Sequence, residues 1–199
     1  MNIIENLYIE NPENPLVDFE RIANLFLNQS ILRVNEKTYR ICSVEFYYQN
    51  EMNNDKAAHK HKRQLTIGEW YFHGSGLDIT FGKENEYGGI LIQAIQQLHL
   101  PNQFIAGPLN VITHIFENFG SINLSNLYFG LEFYKHHKEE IISAPRVGLN
   151  IKTVGADFSK GYRFLILPKE AHARKIDVIS HLVNSGQMSE KEAKDIIYK

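Results

Sequence analysis

The chain has 199 residues, which favours one hydrophobic core of ordinary size over two independent cores. Hydrophobic residues make up 43% and charged residues 22%, close to the globular average, which argues against a fibrous or wholly disordered chain. The formal net charge of -2 excludes a strongly basic coat over the whole surface, but not a local basic patch. The single cysteine, Cys42, excludes a disulfide framework and a cysteine-rich zinc site.

The N-terminal residues show no basic region followed by an apolar stretch, so they do not resemble a signal peptide. The longest apolar runs, such as residues 164–168, are far shorter than the ~20 residues that a membrane-spanning helix needs. We therefore expect a cytoplasmic protein with no membrane contact. Separately, we expect the protein to be a monomer, although no sequence pattern fixes its oligomeric state.

Helix and strand patterns follow one another irregularly along the first third of the chain. Residues 17–28 place four apolar side chains on one helical face, and Asp18 is positioned to cap the start of this helix. Two β-rich stretches follow at 30–34 and 39–48, and the short polar segment between them predicts a hairpin. Residues 49–67 are polar and lack periodicity, which predicts a surface loop.

The rest of the chain continues with strands and ends with helices. The predicted strands are residues 69–73, 77–81, 89–95, 147–154 and 163–167. Pro108 and Gly120 bound a predicted helix, and the C-terminal segment predicts two short helices around 184–186, with a capping box at 189–192. Helices flank the strands without strict alternation, which predicts an α+β fold with a mainly antiparallel sheet.

Glu45 lies in the strand-like run 40–48, which is otherwise short of charge. The alternation of a strand puts it on the same face as Ser43 and Tyr47. A carboxylate beside a tyrosine on one face suits a general base next to a stacking platform. The same spacing also fits a solvent-exposed glutamate on an edge strand, and spacing alone leaves both interpretations open.

Residues 56–63 form a basic run. Its full positive charges are on Lys56, Lys60, Lys62 and Arg63. They suit contacts to a phosphate backbone, and a solvated loop is the alternative. His59 and His61 alone do not indicate a metal site, because no cysteine or defined carboxylate accompanies them. We expect neither a metal nor another cofactor.

A glycine-rich break at 74–76 follows the aromatic cluster that ends at His73. Glycines allow a ligand to approach the backbone closely, and a simple turn is the alternative. The segment lacks the Gly-Lys-Ser/Thr of a phosphate-binding P-loop and does not match the Gly-x-Ser-x-Gly elbow of hydrolases.

A series of short segments in a fixed order runs through residues 19–168. They are residues 22–27, residues 40–48, Lys56-Ala57-Ala58-His59, Gly68-Glu69-Trp70-Tyr71, residues 89–94, Gly107-Pro108, Ala144-Pro145-Arg146-Val147-Gly148 and Lys160-Gly161-Tyr162-Arg163-Phe164. Together they resemble the alkyladenine (3-methyladenine) DNA glycosylase family, in which residues 40–48 would be the strand with the catalytic Glu-x-Tyr. Each segment alone is a weak signal, and their common order gives the resemblance its weight.

The resemblance implies a curved, mainly antiparallel sheet flanked by helices, and a base-excision repair enzyme that acts on double-stranded DNA. Such an enzyme flips out an alkylated or modified purine and hydrolyses its N-glycosidic bond. By this resemblance Glu45 would activate the attacking water, without a metal and without strand cleavage. Residues 1–169 would form the glycosylase-like domain, and residues 170–199 a helical appendage packed on it or extending it.

The resemblance also assigns binding residues. The flipped base would lie among Tyr47, His59, Gln93 and a third wall formed by His73 or its neighbour Phe72. Arg146 would join the basic run 56–63 in contacting DNA. The alternative is a relative that no longer cuts, whose pocket binds a free purine base, nucleoside, nucleotide or a protein partner. Three features motivate it: Gln93 in place of the family's arginine, no bulky wedge at 74–76, and the acidic net charge.

Overall fold

The structure, a computed structural model, describes residues 2–99, 101–123 and 126–199. Its strands are β1 (Ser30–Val34), β2 (Lys37–Gln49), β3 (Ile67–His73), β4 (Gly76–Phe81), β5 (Tyr87–Gln97), β6 (Phe104–Ala106), β7 (Phe129–Phe133), β8 (Ile142–Ala144) and β9 (Arg163–Leu165). Its helices are α1 (Leu16–Asn28), α2 (Pro108–Glu117), α3 (Ile151–Val154), α4 (Lys175–Asn184) and α5 (Glu190–Tyr198). Short 3₁₀ helices cover Ile4–Asn6, Lys62–Leu65 and Gly155–Ser159.

The nine strands of the described residues form one antiparallel sheet. Its main order is β3-β4-β5-β2-β1-β7, while β6 pairs with β5, and β9 pairs with both β2 and β8. The long strand β2 therefore lies at the centre, hydrogen-bonded to β1, β5 and β9. A side chain on β2 is consequently surrounded by neighbouring strands rather than placed at an edge.

The sheet curls into a half-barrel. Trp70 on the outer strand β3 and Phe129 on the opposite outer strand β7 come together, with 4.4 Å between their ring centroids. Helix α1 packs against β2, where Phe19 stacks on Phe46 at a centroid distance of 4.4 Å. The alternation of β2 sends Phe46 into this apolar core, and Glu45 and Tyr47 to the other face of the sheet.

The C-terminal helices α4 and α5 pack on a second, smaller apolar cluster. This cluster consists of Ile142, Ala144, Leu165, Val178, Ile179, Leu182, Ala193 and Ile197. It includes residues of β8 and β9, so α4 and α5 pack on the sheet at these two strands. The predicted capping box at the start of α5 is present, with the Ser189 side chain accepting from the Glu192 amide.

The α+β class and the mainly antiparallel sheet are confirmed, and one predicted strand is wrong. Residues 147–154 form no strand: helix α3 and a 3₁₀ helix occupy Ile151–Ser159 instead. Gly148 has a φ of +78°, which breaks an extended conformation. The Asn150 side chain then accepts from the Lys152 amide and caps α3.

Candidate functional site

The pairing register places five side chains in one row across the sheet, on the face away from α1. The row runs Tyr71 (β3), Asp78 (β4), Leu91 (β5), Glu45 (β2), Arg163 (β9). Residues directly opposite each other in an antiparallel pair point to the same side of the sheet. Two carboxylates thus lie on one face with Leu91 between them, separated by two strand spacings, or roughly 10 Å.

The Glu45 side chain is fully buried within this row. One carboxylate oxygen, Oε1, accepts a 2.7 Å hydrogen bond from the Val147 amide, and Oε2 accepts a 2.7 Å bond from the Tyr47 hydroxyl. Burial raises the pKa of Glu45 above its usual range, and these two hydrogen bonds oppose the rise. The interpretation of Glu45 as an exposed edge-strand residue is wrong, because β2 has a neighbouring strand on each side.

Tyr47 stands between Glu45 and an open cavity. Burial and the Glu45 carboxylate raise the pKa of Tyr47 well above its usual value, so the hydroxyl stays a neutral donor. The cavity has a volume of about 360 Å³, within the range of about 300–1,000 Å³ that is usual for small-molecule sites. Its lining residues are Tyr47, Ala57, His59, Gln64, His73, Ser75, Asp78, Leu91, Gln93, Pro108, Val147, Gly148 and Leu149.

Two imidazoles form one wall of the cavity. The rings of His59 and His73 lie nearly perpendicular, with centroids 4.5 Å apart. Burial lowers the pKa of His59 and the neighbouring His73 lowers it further, which favours the neutral imidazole. The structure therefore brings together four of the expected pocket residues, namely Tyr47, His59, His73 and Gln93.

Asp78 holds His73 in a fixed orientation. The Ser75 amide donates to His73 Nδ1, so Nε2 carries the proton and donates to Asp78 Oδ1 at 3.1 Å. The other oxygen, Oδ2, accepts from the Gln64 side-chain amide at 3.2 Å. A Cβ at position 89 would lie 2.6 Å from that oxygen. A glycine there, having no Cβ, leaves room for these hydrogen bonds.

Arg163 lies opposite Glu45 at the end of the row and is almost completely buried. Its Nε donates to the Ser43 hydroxyl at 3.2 Å, and its Nη1 donates to the Ala173 carbonyl at 2.8 Å. Burial lowers the pKa of Arg163, and the charge of Glu45 opposes that change. The Ala173 carbonyl, just before α4, thus helps to hold a buried cation in place beside the Glu45 carboxylate.

Arg146 lies behind Tyr47 rather than on the surface. Its guanidinium donates to both oxygens of Asp55, at 2.6 and 3.0 Å, and neither side chain is exposed. The guanidinium carbon is 4.6 Å from the centroid of the Tyr47 ring, within the range of a cation–π contact. The expected DNA contact by Arg146 is therefore wrong for this arrangement, because the guanidinium has no exposed donor for a phosphate.

Phe72 also lies away from the cavity. It has the opposite orientation to Tyr71 and His73 on β3, is 39% exposed, and stacks on Phe116 with 5.4 Å between centroids. Of the two alternatives for the third wall, His73 is the one that the fold places at the cavity. Phe72 belongs to an aromatic cluster that β3 forms with α2.

The basic run lies on the surface beside the cavity. Its exposed cations are Lys56, Lys60, Lys62 and Arg63. Arg63 pairs with Glu69 at 3.2 Å, and both partners are exposed. The run is not a purely solvated loop, since Ala58 within it and the flanking residues Asp55 and Gln64 are buried. These buried residues anchor the segment that places His59 at the cavity wall.

The sequence did not lead us to expect Asp78 or Gln64 in the site, nor Arg163 opposite Glu45. The signal for Asp78 was the same as for Glu45: one acidic residue alternating with apolar residues, here in the strand-like run 76–81. Gln64 gave no comparable signal, because its burial depends on how residues 49–67 fold over the sheet.

Comparison with known proteins gives a relative but no function. No family model matches this chain. The chain is similar to an uncharacterized protein of Acanthamoeba polyphaga mimivirus, with 28% identity over 196 aligned residues, covering 79% of this chain and 89% of the viral protein. Within the described residues, no helix has the length and apolar character that crossing a membrane requires.

Proposed function

We propose that this protein is a DNA repair glycosylase that flips out an alkylated or modified purine and hydrolyses its N-glycosidic bond. The observation that carries the proposal is a buried carboxylate, Glu45, whose two hydrogen-bond partners, Tyr47 and Val147, both line a cavity of purine-accommodating size. The half-barrel with Glu45 on its central strand is consistent with the fold that the sequence resemblance implies.

In this proposal Glu45 is the general base. A water attacks the anomeric carbon of the flipped nucleotide, its proton passes to the Glu45 carboxylate, and the bond to the purine nitrogen breaks with its electron pair going to the base. A pKa raised by burial makes the carboxylate a stronger proton acceptor than a solvated one. Glu45 has no exposed surface. The water therefore reaches it only when the hydrogen bond from the Val147 amide or from the Tyr47 hydroxyl breaks.

The walls of the cavity would hold the flipped base. Tyr47 offers a phenol face, and His59 and His73 offer imidazole faces, on which a purine stacks at about 1–3 kcal/mol per contact. The Asp55–Arg146 pair behind Tyr47 fixes the position of that platform. A rigid platform lowers the entropy that is lost when the base is bound.

The exposed lysines Lys56, Lys60 and Lys62 would contact the phosphates next to the flipped nucleotide. They belong to the same segment as His59, so a strand entering the cavity passes close to them. Among the described cavity-lining residues none is a lysine, and base release without strand cleavage follows, since no amine is placed to attack the sugar.

A second candidate function is favoured by the complete burial of Glu45. Because both of its oxygens already accept hydrogen bonds, the same pocket would bind a purine base or nucleoside without cleaving it if the Val147 and Tyr47 contacts never open. Gln93 on the cavity wall, an uncharged residue, is compatible with this function.

The test is base release from methylated duplex DNA, read by mass spectrometry. Wild type should release a methylpurine, and Glu45→Gln should release it about 10²–10⁴-fold more slowly, the usual contribution of a general base. Glu117→Gln is the matched control, because its carboxylate lies at the exposed end of α2. If wild type releases no base but binds a purine nucleoside, the second function would replace the first.

A further inference from the structure

Arg163 is a buried cation to which the proposed reaction gives no role. It is 1% exposed, and it lies directly opposite Glu45 in the pairing of β2 with β9. Residues paired in this way point to the same face of the sheet, with roughly 5 Å between their Cβ atoms. A guanidinium and a carboxylate are therefore both removed from water in the same part of the sheet.

The guanidinium of Arg163 is held near Glu45 without being bonded to it. Its Nε donates to the hydroxyl of Ser43, the preceding residue on this face of β2, at 3.2 Å. Its Nη1 donates to the Ala173 carbonyl at 2.8 Å, so the segment that leads into α4 fixes the guanidinium from the other side. The two oxygens of Glu45 accept from an amide and a hydroxyl. Within the part of the chain that the structure describes, the two opposite charges thus share no hydrogen bond.

A second guanidinium acts on Glu45, but its charge is already balanced. Arg146 lies near enough for its charge to interact with that of Glu45, yet it donates to both oxygens of Asp55. Two further side chains that act on Glu45, Tyr47 on β2 and Gln93 on β5, are uncharged. Among the described residues, the cation on β9 is therefore the one that faces Glu45 without a bonded carboxylate of its own.

The groups that act on Arg163 from the C-terminal segment leave its charge unbalanced. Asp177 on α4 interacts with this charge, but its carboxylate is hydrogen-bonded to Arg174 at 2.7 Å. Burial, and next the charge of Arg163, lower the pKa of His172 to about 4, so this imidazole is neutral at neutral pH. The charge of Arg163 consequently acts mainly on the carboxylate opposite it.

We propose that Arg163 is a positioning residue for the general base, whose fixed charge keeps the buried Glu45 carboxylate ionised and so able to accept the proton of the attacking water. Burial raises the pKa of Glu45, and the charge of Arg163 opposes that rise. A guanidinium does not lose its proton in a protein, so this support is constant across pH. The inference rests on the proposed function, since ionised Glu45 is needed only if it is the base. The effect of Arg163 on Glu45 is nevertheless measurable without a substrate.

The experiment titrates Glu45 by NMR in protein labelled with ¹³C at the glutamate carboxyl groups, with Glu45→Gln identifying its resonance. Arg163→Met removes the charge but keeps a long side chain, and the pKa of Glu45 should rise by at least about 1 pH unit. Arg163→Lys retains the charge, so the pKa of Glu45 should stay within about 0.5 pH unit of wild type.

Arg33→Met is the matched control. It removes an arginine from β1 whose pair with Glu132 is partly exposed, and the pKa of Glu45 should not change. An unmoved pKa of Glu45 in Arg163→Met would overturn the inference. An equal rise in Arg163→Met and Arg163→Lys would also overturn it, because packing rather than charge would then be the cause.

A double variant decides the question if Arg163→Met does not fold. Glu45→Gln combined with Arg163→Met removes both buried charges, so it should fold if the uncompensated carboxylate was what prevented folding. Circular dichroism and thermal unfolding measure this. A double variant that also fails to fold would overturn the inference, because the loss would then come from the contacts of Arg163 with Ser43 and Ala173.

Base release separates this inference from the proposed function. If both are right, the acid limb of base release in Arg163→Met moves to higher pH by the shift that NMR gives for Glu45. If wild type releases base while the pKa of Glu45 is unmoved in Arg163→Met, the glycosylase stands and the role of Arg163 is wrong. If the pKa rises as expected while no base is released, Arg163 supports the charge of Glu45 and the cleavage is wrong.

Discussion

Two groups of buried charged residues lie close to Tyr47, and their hydrogen-bond partners differ. Behind the ring, Asp55 and Arg146 neutralise each other through two short hydrogen bonds. In the second group, Glu45 accepts from a backbone amide and a hydroxyl, and Asp78 from a carboxamide and an imidazole. The charge of Asp55 is thus balanced by a bonded guanidinium, whereas among the described residues no lysine or arginine is hydrogen-bonded to Glu45 or Asp78.

The two groups of buried charge should therefore differ in role, one in stability and the other in the chemistry of the site. The Asp55–Arg146 pair should matter for stability, because removing one partner leaves an uncompensated buried charge. Glu45 should matter for proton transfer, because burial raises its pKa, and Asp78 should matter for ligands, because it lines the cavity. Four substitutions test this division.

The largest effect is expected from Asp55→Ala. The variant leaves the Arg146 guanidinium buried without its partner, which should lower the free energy of unfolding by about 3–5 kcal/mol. Urea denaturation measures this loss. Asp195→Ala, which breaks an exposed pair with Lys199, should change the same quantity by no more than about 0.5 kcal/mol. Equal losses from both variants would contradict the structural role of the buried pair.

Tyr47→Phe should have the next largest effect. It removes the hydroxyl that donates to Glu45, a bond to a charged group worth about 1.5–3 kcal/mol. Since that bond opposes the rise in the pKa of Glu45, its loss should raise the pKa further and move the acid limb of base release to higher pH. Single-turnover rates across pH test the shift, with exposed Tyr134→Phe as the control. An unmoved acid limb would show that the hydroxyl does not act on Glu45.

The difference in the free energy of unfolding between wild type and Glu45→Gln should depend on pH. A carboxylate whose pKa is raised in the folded state costs stability above that pKa, and the cost disappears as pH falls and both states become protonated. Wild type should therefore gain stability relative to Glu45→Gln as pH falls from neutral through the raised pKa of Glu45 towards the usual carboxyl range. Urea midpoints measured over a pH series test this. If wild type instead lost stability relative to Glu45→Gln on acidification, the pKa of Glu45 would not be raised in the folded state.

The smallest effect is expected from Lys62→Gln. Lys62 is exposed, so its loss should leave the free energy of unfolding nearly unchanged. If Lys62 contacts a phosphate, the slope of log affinity for duplex DNA against log salt should fall by about 1. Lys191→Gln on exposed α5 serves as the control. Identical slopes for both variants would remove the basic run from the DNA-binding surface.

Most of the fold was predictable because its signals are local. The hairpin of β1 and β2 follows from the polar turn at 35–37, in which Asn35 adopts a positive φ of 51°. Helix α2 follows from Pro108 in its first turn, and α5 from the capping box at Ser189. The wrong strand at 147–154 came from alternating apolar residues that resemble a strand, interrupted by a glycine whose φ the sequence does not disclose.

The site was predictable only in part, because long-range partners decide it. Alternation placed Glu45 and Tyr47 on one face, but not beneath a cavity, which requires the segment around Val147 to cross over β2. Composition predicted residues 49–67 to be a surface loop. Asp55 and Gln64 are nevertheless buried, because Arg146 and Asp78 lie opposite them in the folded chain. Both contacts join residues that are distant in sequence, so the local sequence around Asp55 or Gln64 does not predict them.

The pH dependence of single-turnover base release from methylated duplex DNA shows whether Glu45 accepts a proton in the reaction. If Glu45 is the general base, the wild-type rate should rise with pH through an apparent pKa above the usual carboxyl range and then level off. Glu45→Gln should release base at least about 10²-fold more slowly and without that limb. A variant that keeps the wild-type rate and the same pH profile would contradict the account, because the carboxylate beneath Tyr47 would then take no proton in the reaction.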